Sequence, residues 1–197
     1  MLPAQRAGAA GAPSAQHPLH RLNSAPFPEA EALLWRCCGS VRWARRLAAH
    51  RPYPDVEALL AAAEEACYDL SQTEVAEALA AEADRQRPGA GPRAGADDPF
   101  DTTAPYQGPG ALAAHTASQA ARAAYEARFQ HVFLVCLDEV PPNERLAAEL
   151  DALHTRLGNS EDDERAATRE ELRRLALSRL RRLTRAPVTA GGTTAPR

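Results

Sequence analysis

The chain has 197 residues, of which 45% are hydrophobic and only 5% aromatic, and its 23 arginines and 26 acidic residues give a formal net charge of −3. This length predicts one domain, and a composition rich in alanine and poor in aromatic residues favours closely packed helices over a β-sandwich. The nearly balanced charge excludes a general electrostatic attraction to nucleic acid or to an anionic membrane.

The cysteines and the apolar runs indicate neither a metal site nor a membrane segment. Cys37, Cys38, Cys67 and Cys136 form no C-x-x-C pair, so we interpret them as small buried residues in a reducing cytoplasm rather than as zinc ligands or disulfides. No apolar run reaches the roughly 18 residues that a membrane span needs, and no N-terminal stretch is typical of a signal sequence. We therefore expect a soluble, cytoplasmic protein without a bound metal.

Low-complexity ends delimit the predicted domain. Residues 1–20 and residues 186–197 lack hydrophobic periodicity and are predicted to be disordered tails. Residues 21–185 form the predicted helical domain, interrupted at 86–110 by a long loop rich in proline and glycine. Loops of that length are either functional or disordered.

Glycine, serine and proline delimit the first two predicted helices. One opens at Pro28 and ends at Gly39. Ser40 then caps a second helix, which Pro52 stops.

The next two helices carry the clearest amphipathic pattern and one polar exception. Asp55 starts a helix whose apolar residues recur at spacings of three and four, and Ser71 with Glu74 forms a capping box for the following helix. The inner face of that helix contains Val75 and Ala78. Seven residues after Val75, the same face reaches a carboxylate, Glu82.

Three further segments follow the loop. Residues 111–129 form a helix, residues 131–138 (HVFLVCLD) are either a buried extended segment or the start of a helix, and Pro141 with Pro142 opens another helix.

Asn159 or Ser160 caps the last helix, which has acids at its start and four arginines at its end, Arg179, Arg181, Arg182 and Arg185. The helix dipole favours this order of charges, so we interpret the arginines as a solvated helix end rather than a nucleic-acid surface. The chain is therefore predicted to be all-α, a single compact bundle of about seven helices.

One helix face is more polar than a core requires. His115, Ser118, Arg122, Tyr125 and Phe129 lie on one stripe of the helix 111–129. Either this stripe borders a cleft, or the polar residues cap the edge of a core into which the aromatic rings pack. His131 and Asp138 flank the apolar run, as the edges of a small pocket or simply as its hydrated ends.

Three stretches resemble the 2-oxo-4-hydroxy-4-carboxy-5-ureidoimidazoline (OHCU) decarboxylase family of urate degradation. They are residues 22–71 with CCGSVRWA, residues 123–136 (AAYEARFQHVFLVC), and residues 156–183 with RLGN followed by ELRRLALSRL. Together they cover about half of the chain. The resemblance implies an all-α fold, a homodimer, and a small-molecule substrate that is decarboxylated to (S)-allantoin without a cofactor.

In that family a histidine assists proton transfer while a glutamate and an arginine hold the substrate, and this chain departs from the pattern. Glu82 stands where the family's HPRIG-type motif places its histidine, and the family's glutamate and arginine are not matched in the loop or in LDEVPPNE.

Two interpretations remain open. In one, a decarboxylase has a rebuilt site, with Glu82 and His115 as catalytic residues and Arg122, Tyr125 and His131 as substrate-binding residues. In the other, the chain is a non-catalytic paralogue that binds a ligand or another protein.

Overall fold

The computed structural model describes residues 18–87 and 110–185, which fold into eight helices and contain no strand. The helices are α1 (Pro18–Ser24), α2 (Phe27–Cys38), α3 (Val41–Ala49), α4 (Val56–Tyr68), α5 (Gln72–Gln86), α6 (Ala111–Phe129), α7 (Arg145–Leu157) and α8 (Glu161–Leu183). The all-α prediction is confirmed. The predicted tails at 1–17 and 186–197, and residues 88–109 of the predicted loop, lie outside the described residues.

Helix α1 is the element that the sequence pattern did not reveal. It begins at Pro18, so residues 18–20, predicted to belong to a tail, are helical. Leu19 and Leu22 are buried in the main core. The side chain of Asn23 makes two hydrogen bonds to the backbone of Tyr53, at 2.8 and 2.9 Å. Because two leucines do not establish a helical period in so short a segment, these long-range contacts define α1 better than its sequence does.

The predicted helix caps are present. Gly39 ends α2 in the left-handed conformation, and the Ser40 hydroxyl accepts the amide N–H of Trp43 at the start of α3. Ser71 and Glu74 form the capping box of α5. Of the two alternatives at the last helix, Ser160 is the cap of α8. Local sequence therefore determines where these helices begin, because a side-chain oxygen satisfies amides that the helix leaves unpaired.

The main core forms around α8. This helix packs against α2 and α4, and α3 packs against both of those helices. Its buried residues Leu172, Ala176 and Leu180 follow one another at spacings of four, so one stripe faces the core. Since α8 comes last in the chain, the core is completed only by contacts between residues far apart in sequence.

A second, smaller core lies between α6 and α7, and it is joined to the main core by the segment 131–137. Its buried residues are Tyr125, Phe133 and Leu153. In the segment, Val132 and Leu134 enter the main core, whereas Phe133 enters the small one. The segment is not helical. Its alternating side chains match the buried extended alternative, because successive side chains of an extended chain point in opposite directions.

The turn at Gly39 has no space for a larger side chain, which predicts a loss of stability on substitution. Gly39 has φ +84°, and a Cβ built there would lie 2.8 Å from Cβ of Ala81 on α5. Gly39→Ala is therefore expected to lower the free energy of unfolding by about 2 to 4 kcal/mol, from left-handed strain plus overpacking. Urea denaturation measures this change.

Gly110 is the matched control for that substitution. It also has positive φ, +77°, but a Cβ there meets nothing within 4 Å. Gly110→Ala should cost only the conformational part, about 1 to 2 kcal/mol. Equal losses for the two variants would contradict the close approach of α5 to the α2–α3 turn.

Candidate functional site

Glu82 lies on the buried face of α5, as the sequence pattern predicts. It is 2% exposed, on the same side of the helix as Val75 and Ala78. A carboxylate so far from water requires compensating charge and hydrogen bonds.

Arg179 of α8 supplies most of that compensation. Its Nη1 donates to Oε1 of Glu82 at 2.5 Å and its Nη2 donates to Oε2 at 2.9 Å, which is the two-pronged geometry that favours arginine over lysine. Nη1 also donates to the carbonyl oxygen of Cys37 at the end of α2, at 3.2 Å. One guanidinium thus connects α8, α5 and α2.

The interpretation of Arg179 as part of a solvated helix end is wrong. The residue is only 8% exposed and faces the core, with Ala176 and Leu180. Burial lowers the pKa of the Arg179 guanidinium, but the hydrogen bonds and charge of Glu82 outweigh it and raise the pKa above its ordinary value. The helical periodicity of the sequence could have indicated this pair, because Glu82 and Arg179 each occupy a core-facing position of their own helix.

Arg85, one turn beyond Glu82, is a second cation at the same carboxylate. Its Nη1 donates to Oε1 of Glu82, and its guanidinium lies 5.9 Å from the ring centroid of Trp35. Burial lowers the pKa of Arg85, and the like charge of Arg179 lowers it further, against the opposing charge of Glu82. Two guanidiniums and one carboxylate leave this cluster with one net positive charge.

The Arg85 guanidinium also presents a donor without an acceptor. Its Nη2 is buried, and no described residue accepts a hydrogen bond from it. A buried donor left unpaired costs about 1 to 3 kcal/mol. We refer to Glu82, Arg85 and Arg179 together as the Glu82 cluster.

The predicted polar stripe of α6 belongs to a neighbouring cluster around Glu149 of α7. The Ser118 hydroxyl and Nε of Arg122, the latter at 2.8 Å, donate to the same oxygen of Glu149. Burial raises the pKa of Glu149, but those donors and the nearby charge of His115 lower it more, so the pKa lies below its ordinary value. His115, Ser118 and Arg122 therefore form the polar edge of α6 and α7.

Gln86, at the end of α5, contacts the Glu149 cluster. Its amide oxygen accepts Nη1 of Arg122 at 2.9 Å, and its amide nitrogen donates to the carbonyl oxygen of Phe133 at 3.3 Å. Gln86 is one helical turn beyond Glu82. Arg122 is therefore held against the end of the helix that carries Glu82.

Tyr125 and His131 lie in a third group, around a second buried ion pair. The Tyr125 hydroxyl donates to Glu164, and Nε of Arg156 donates to the same carboxylate at 2.9 Å. Burial and the hydrogen bond to Glu164 raise the pKa of Tyr125. The His131 ring stands edge-on to the Tyr125 ring, with centroids 5.5 Å apart. Tyr125 is fully buried, so its contacts here are structural.

Two of the cysteines near these clusters are not activated, and the described ranges contain no grouped metal ligands. Burial raises the pKa of the Cys37 thiol to about 12 and also raises that of Cys136, so neither thiol is an activated nucleophile at neutral pH. Among residues 18–87 and 110–185, no three His, Cys, Asp or Glu side chains are grouped to hold a metal ion. No helix in these ranges is long and apolar enough to cross a membrane.

Comparison with known proteins gives the family and the fold. The OHCU decarboxylase family model matches residues 23–181. A crystal structure of (S)-allantoin synthase is similar, with a TM-score of 0.59 and 17% sequence identity, over 85% of this chain and 53% of that one. At this identity the likeness concerns the fold, and the chain spans about half the length of that structure. No curated protein sequence matches the chain.

The arrangement of charges in the Glu82 cluster predicts that loss of Glu82 destabilises the chain more than loss of Arg179. Glu82→Gln leaves a buried and a partly buried guanidinium without their shared carboxylate and is expected to cost about 3 to 5 kcal/mol, whereas Arg179→Gln should cost less because Arg85 still neutralises Glu82. Urea denaturation tests this order. Asp84→Asn, which breaks an exposed pair with Arg87 on the same helix, is the control and should change stability by less than about 0.5 kcal/mol. A larger loss of stability for Arg179→Gln than for Glu82→Gln would contradict this prediction.

Glu164 predicts how stability depends on pH. Burial raises the pKa of this carboxyl, but Arg156, Tyr125 and Asn159 donate to it and hold the pKa below its ordinary value of 4.5. The stabilisation is present above that ordinary value and is lost as pH falls through the lower folded value. Glu164→Gln should therefore be less stable at neutral pH and lose less on acidification, measured by urea unfolding between about pH 7 and pH 3. The exposed Glu161→Gln should behave as the wild type, and equal acid sensitivity of both variants would contradict the assignment.

Proposed function

The chain belongs to the OHCU decarboxylase family, and from this membership we propose that it binds the small carboxylate anion on which the family acts, without decarboxylating it by the family's histidine route. The proposed binding site is the Glu82 cluster. It lies where the resemblance to the family places the proton-transfer histidine.

The unpaired Nη2 of Arg85 is the observation that carries this proposal. No described residue accepts a hydrogen bond from that buried nitrogen, although it belongs to a cluster with one net positive charge. A ligand carboxylate or ureido carbonyl would provide the missing acceptor, and an anion would neutralise the surplus charge.

The contacts of Glu82 argue against a simple replacement of the histidine. A general base must face the proton that it removes, at hydrogen-bond distance. Both oxygens of Glu82 instead accept N–H groups from Arg179, and Oε1 also accepts from Arg85. The carboxylate is committed to holding two cations in place, a role in binding rather than in proton transfer.

Decarboxylation is the second candidate function, and the family match over residues 23–181 favours it. In that case binding of the anion to Arg85 or Arg179 would release an oxygen of Glu82. The released carboxylate could then take up a proton from water and deliver it to the carbanion that remains when CO2 leaves. His115, Arg122, Tyr125 and His131 lie outside the Glu82 cluster, so any part they take would be in the surrounding wall.

One assay separates the two candidates. Urate oxidase and hydroxyisourate hydrolase generate the unstable substrate from urate, and circular dichroism follows (S)-allantoin while absorbance follows substrate decay. With catalytic amounts of the chain we expect no acceleration over the spontaneous reaction. With the chain in stoichiometric excess we expect slower decay, because bound substrate is shielded from water.

Matched arginine variants locate the binding. Arg85→Gln should abolish the protection, since it removes the unpaired donor. Arg87→Gln changes an exposed arginine at the end of the same helix and should preserve the protection. Far-UV circular dichroism checks that both variants are folded. If excess chain leaves the decay unchanged, the binding proposal is wrong.

The opposite result would identify a decarboxylase. Turnover to (S)-allantoin at catalytic amounts of the chain would overturn the non-catalytic proposal. Glu82→Gln and His115→Ala would then each be expected to lower the rate, and an unaffected double variant would exclude both residues from the site.

A further inference from the structure

A cleft lined by arginines lies on the side of α8 that faces away from the Glu82 cluster. Its volume is about 710 Å³, within the range of small-molecule sites. Since successive residues of a helix are about 100° apart, Arg181 lies roughly 200° around α8 from Arg179. The cleft and the Glu82 cluster are therefore separate sites that share one helix.

The charges that line the cleft are unequal. Six lining side chains are arginines, Arg145, Arg173, Arg174, Arg181, Arg182 and Arg185, and two are carboxylates, Asp138 and Glu139. Leu177 and Cys136 provide an apolar part of the wall.

Neighbouring carboxylates neutralise part of this positive charge. Asp138 accepts hydrogen bonds from Ser178 and Arg182. Outside the cleft, Arg173 pairs with Glu64 and Glu170, and Arg174 donates to Glu171 at 2.9 Å. These pairs hold the side chains that line this part of the cleft in place.

Arg181 and Arg185 provide positive charge that no carboxylate of the described residues neutralises. Both are exposed, Arg181 in the last turn of α8 and Arg185 two residues after the helix ends, and neither side chain has a carboxylate partner among the described residues. Their position at the end of α8 agrees with the helix dipole, but the dipole alone requires no cavity beside them. Two exposed guanidiniums that line a cleft whose neighbouring arginines are already paired are suited to an anionic ligand.

We propose that this cleft binds a small organic phosphate or polyphosphate. Planar guanidiniums bind phosphate oxygens with paired hydrogen bonds, and two of them can share one multiply charged group. Because the lining arginines outnumber the lining carboxylates, the attraction grows with the charge of the anion, so a ligand with several negative charges is favoured over a monocarboxylate. The surplus extends over two arginines rather than along the whole helix, which fits a compact ligand better than a nucleic-acid strand.

Isothermal titration calorimetry with inorganic tripolyphosphate and with ATP tests the proposal on the full chain. Both probes should bind once per chain at low salt and more weakly at high salt, and acetate should give no heat of binding. The double variant Arg181→Gln/Arg185→Gln should weaken tripolyphosphate binding about tenfold or more.

Arg165→Gln is the matched control, because Arg165 is an exposed arginine at the other end of α8 and does not line the cleft. Its affinity should equal that of the wild type, and equal far-UV spectra and melting temperatures establish that all variants are folded. Absence of tripolyphosphate binding, or equal weakening by Arg165→Gln and the double variant, overturns the proposal.

A single-stranded oligonucleotide provides the remaining comparison. Affinity that rises with oligonucleotide length and exceeds that for tripolyphosphate would also overturn the proposal, in favour of a nucleic-acid surface. Substrate protection at Arg85 is measured separately, so failure of either proposal leaves the other intact.

Discussion

The pair between Glu82 and Arg179 is the interaction on which the arrangement of this domain depends. It crosses from α5 to the last helix, and the same guanidinium binds the carbonyl end of α2. Arg85 adds a second cation to the same carboxylate. Ions buried in this way are stable only together, because each would otherwise lose its hydration without compensation. The position at which the resemblance to the family places a proton-transfer histidine is thereby part of the internal framework of this chain.

A second buried ion pair, between Arg156 and Glu164, performs a comparable role. Arg156 of α7 binds Glu164 and the carbonyl oxygen of Leu134, so it joins α7, α8 and the segment between the two cores. Tyr125 from α6 completes the group. With few aromatic residues available, this chain joins its two hydrophobic cores through arginines whose forked donors reach several elements at once. Arginine is thus a structural residue here as much as a surface one.

These observations separate family membership from activity. The family match and the all-α fold are findings, whereas the proposed binding of an anion rests on the charges of the Glu82 cluster. The cleft on the opposite side of α8 provides a different charge pattern, with exposed arginines at its mouth. One helix therefore presents two chemically distinct surfaces, and the proposed ligands differ accordingly.

The sequence by itself determined most of the helices and several of their ends, since periodicity and capping residues such as Ser40, Ser71 and Gly39 act within a few residues of the backbone groups that they satisfy. It also placed Glu82 on an inner face. Only the tertiary structure decided that the partner of Glu82 is Arg179, 97 residues later, and that α1 is ordered by Leu19, Leu22 and Asn23. It likewise distributed the five predicted site residues among three clusters. Contacts of this kind depend on how helices pack in space. A pattern of polar and apolar residues along the chain does not specify which helix faces contact each other.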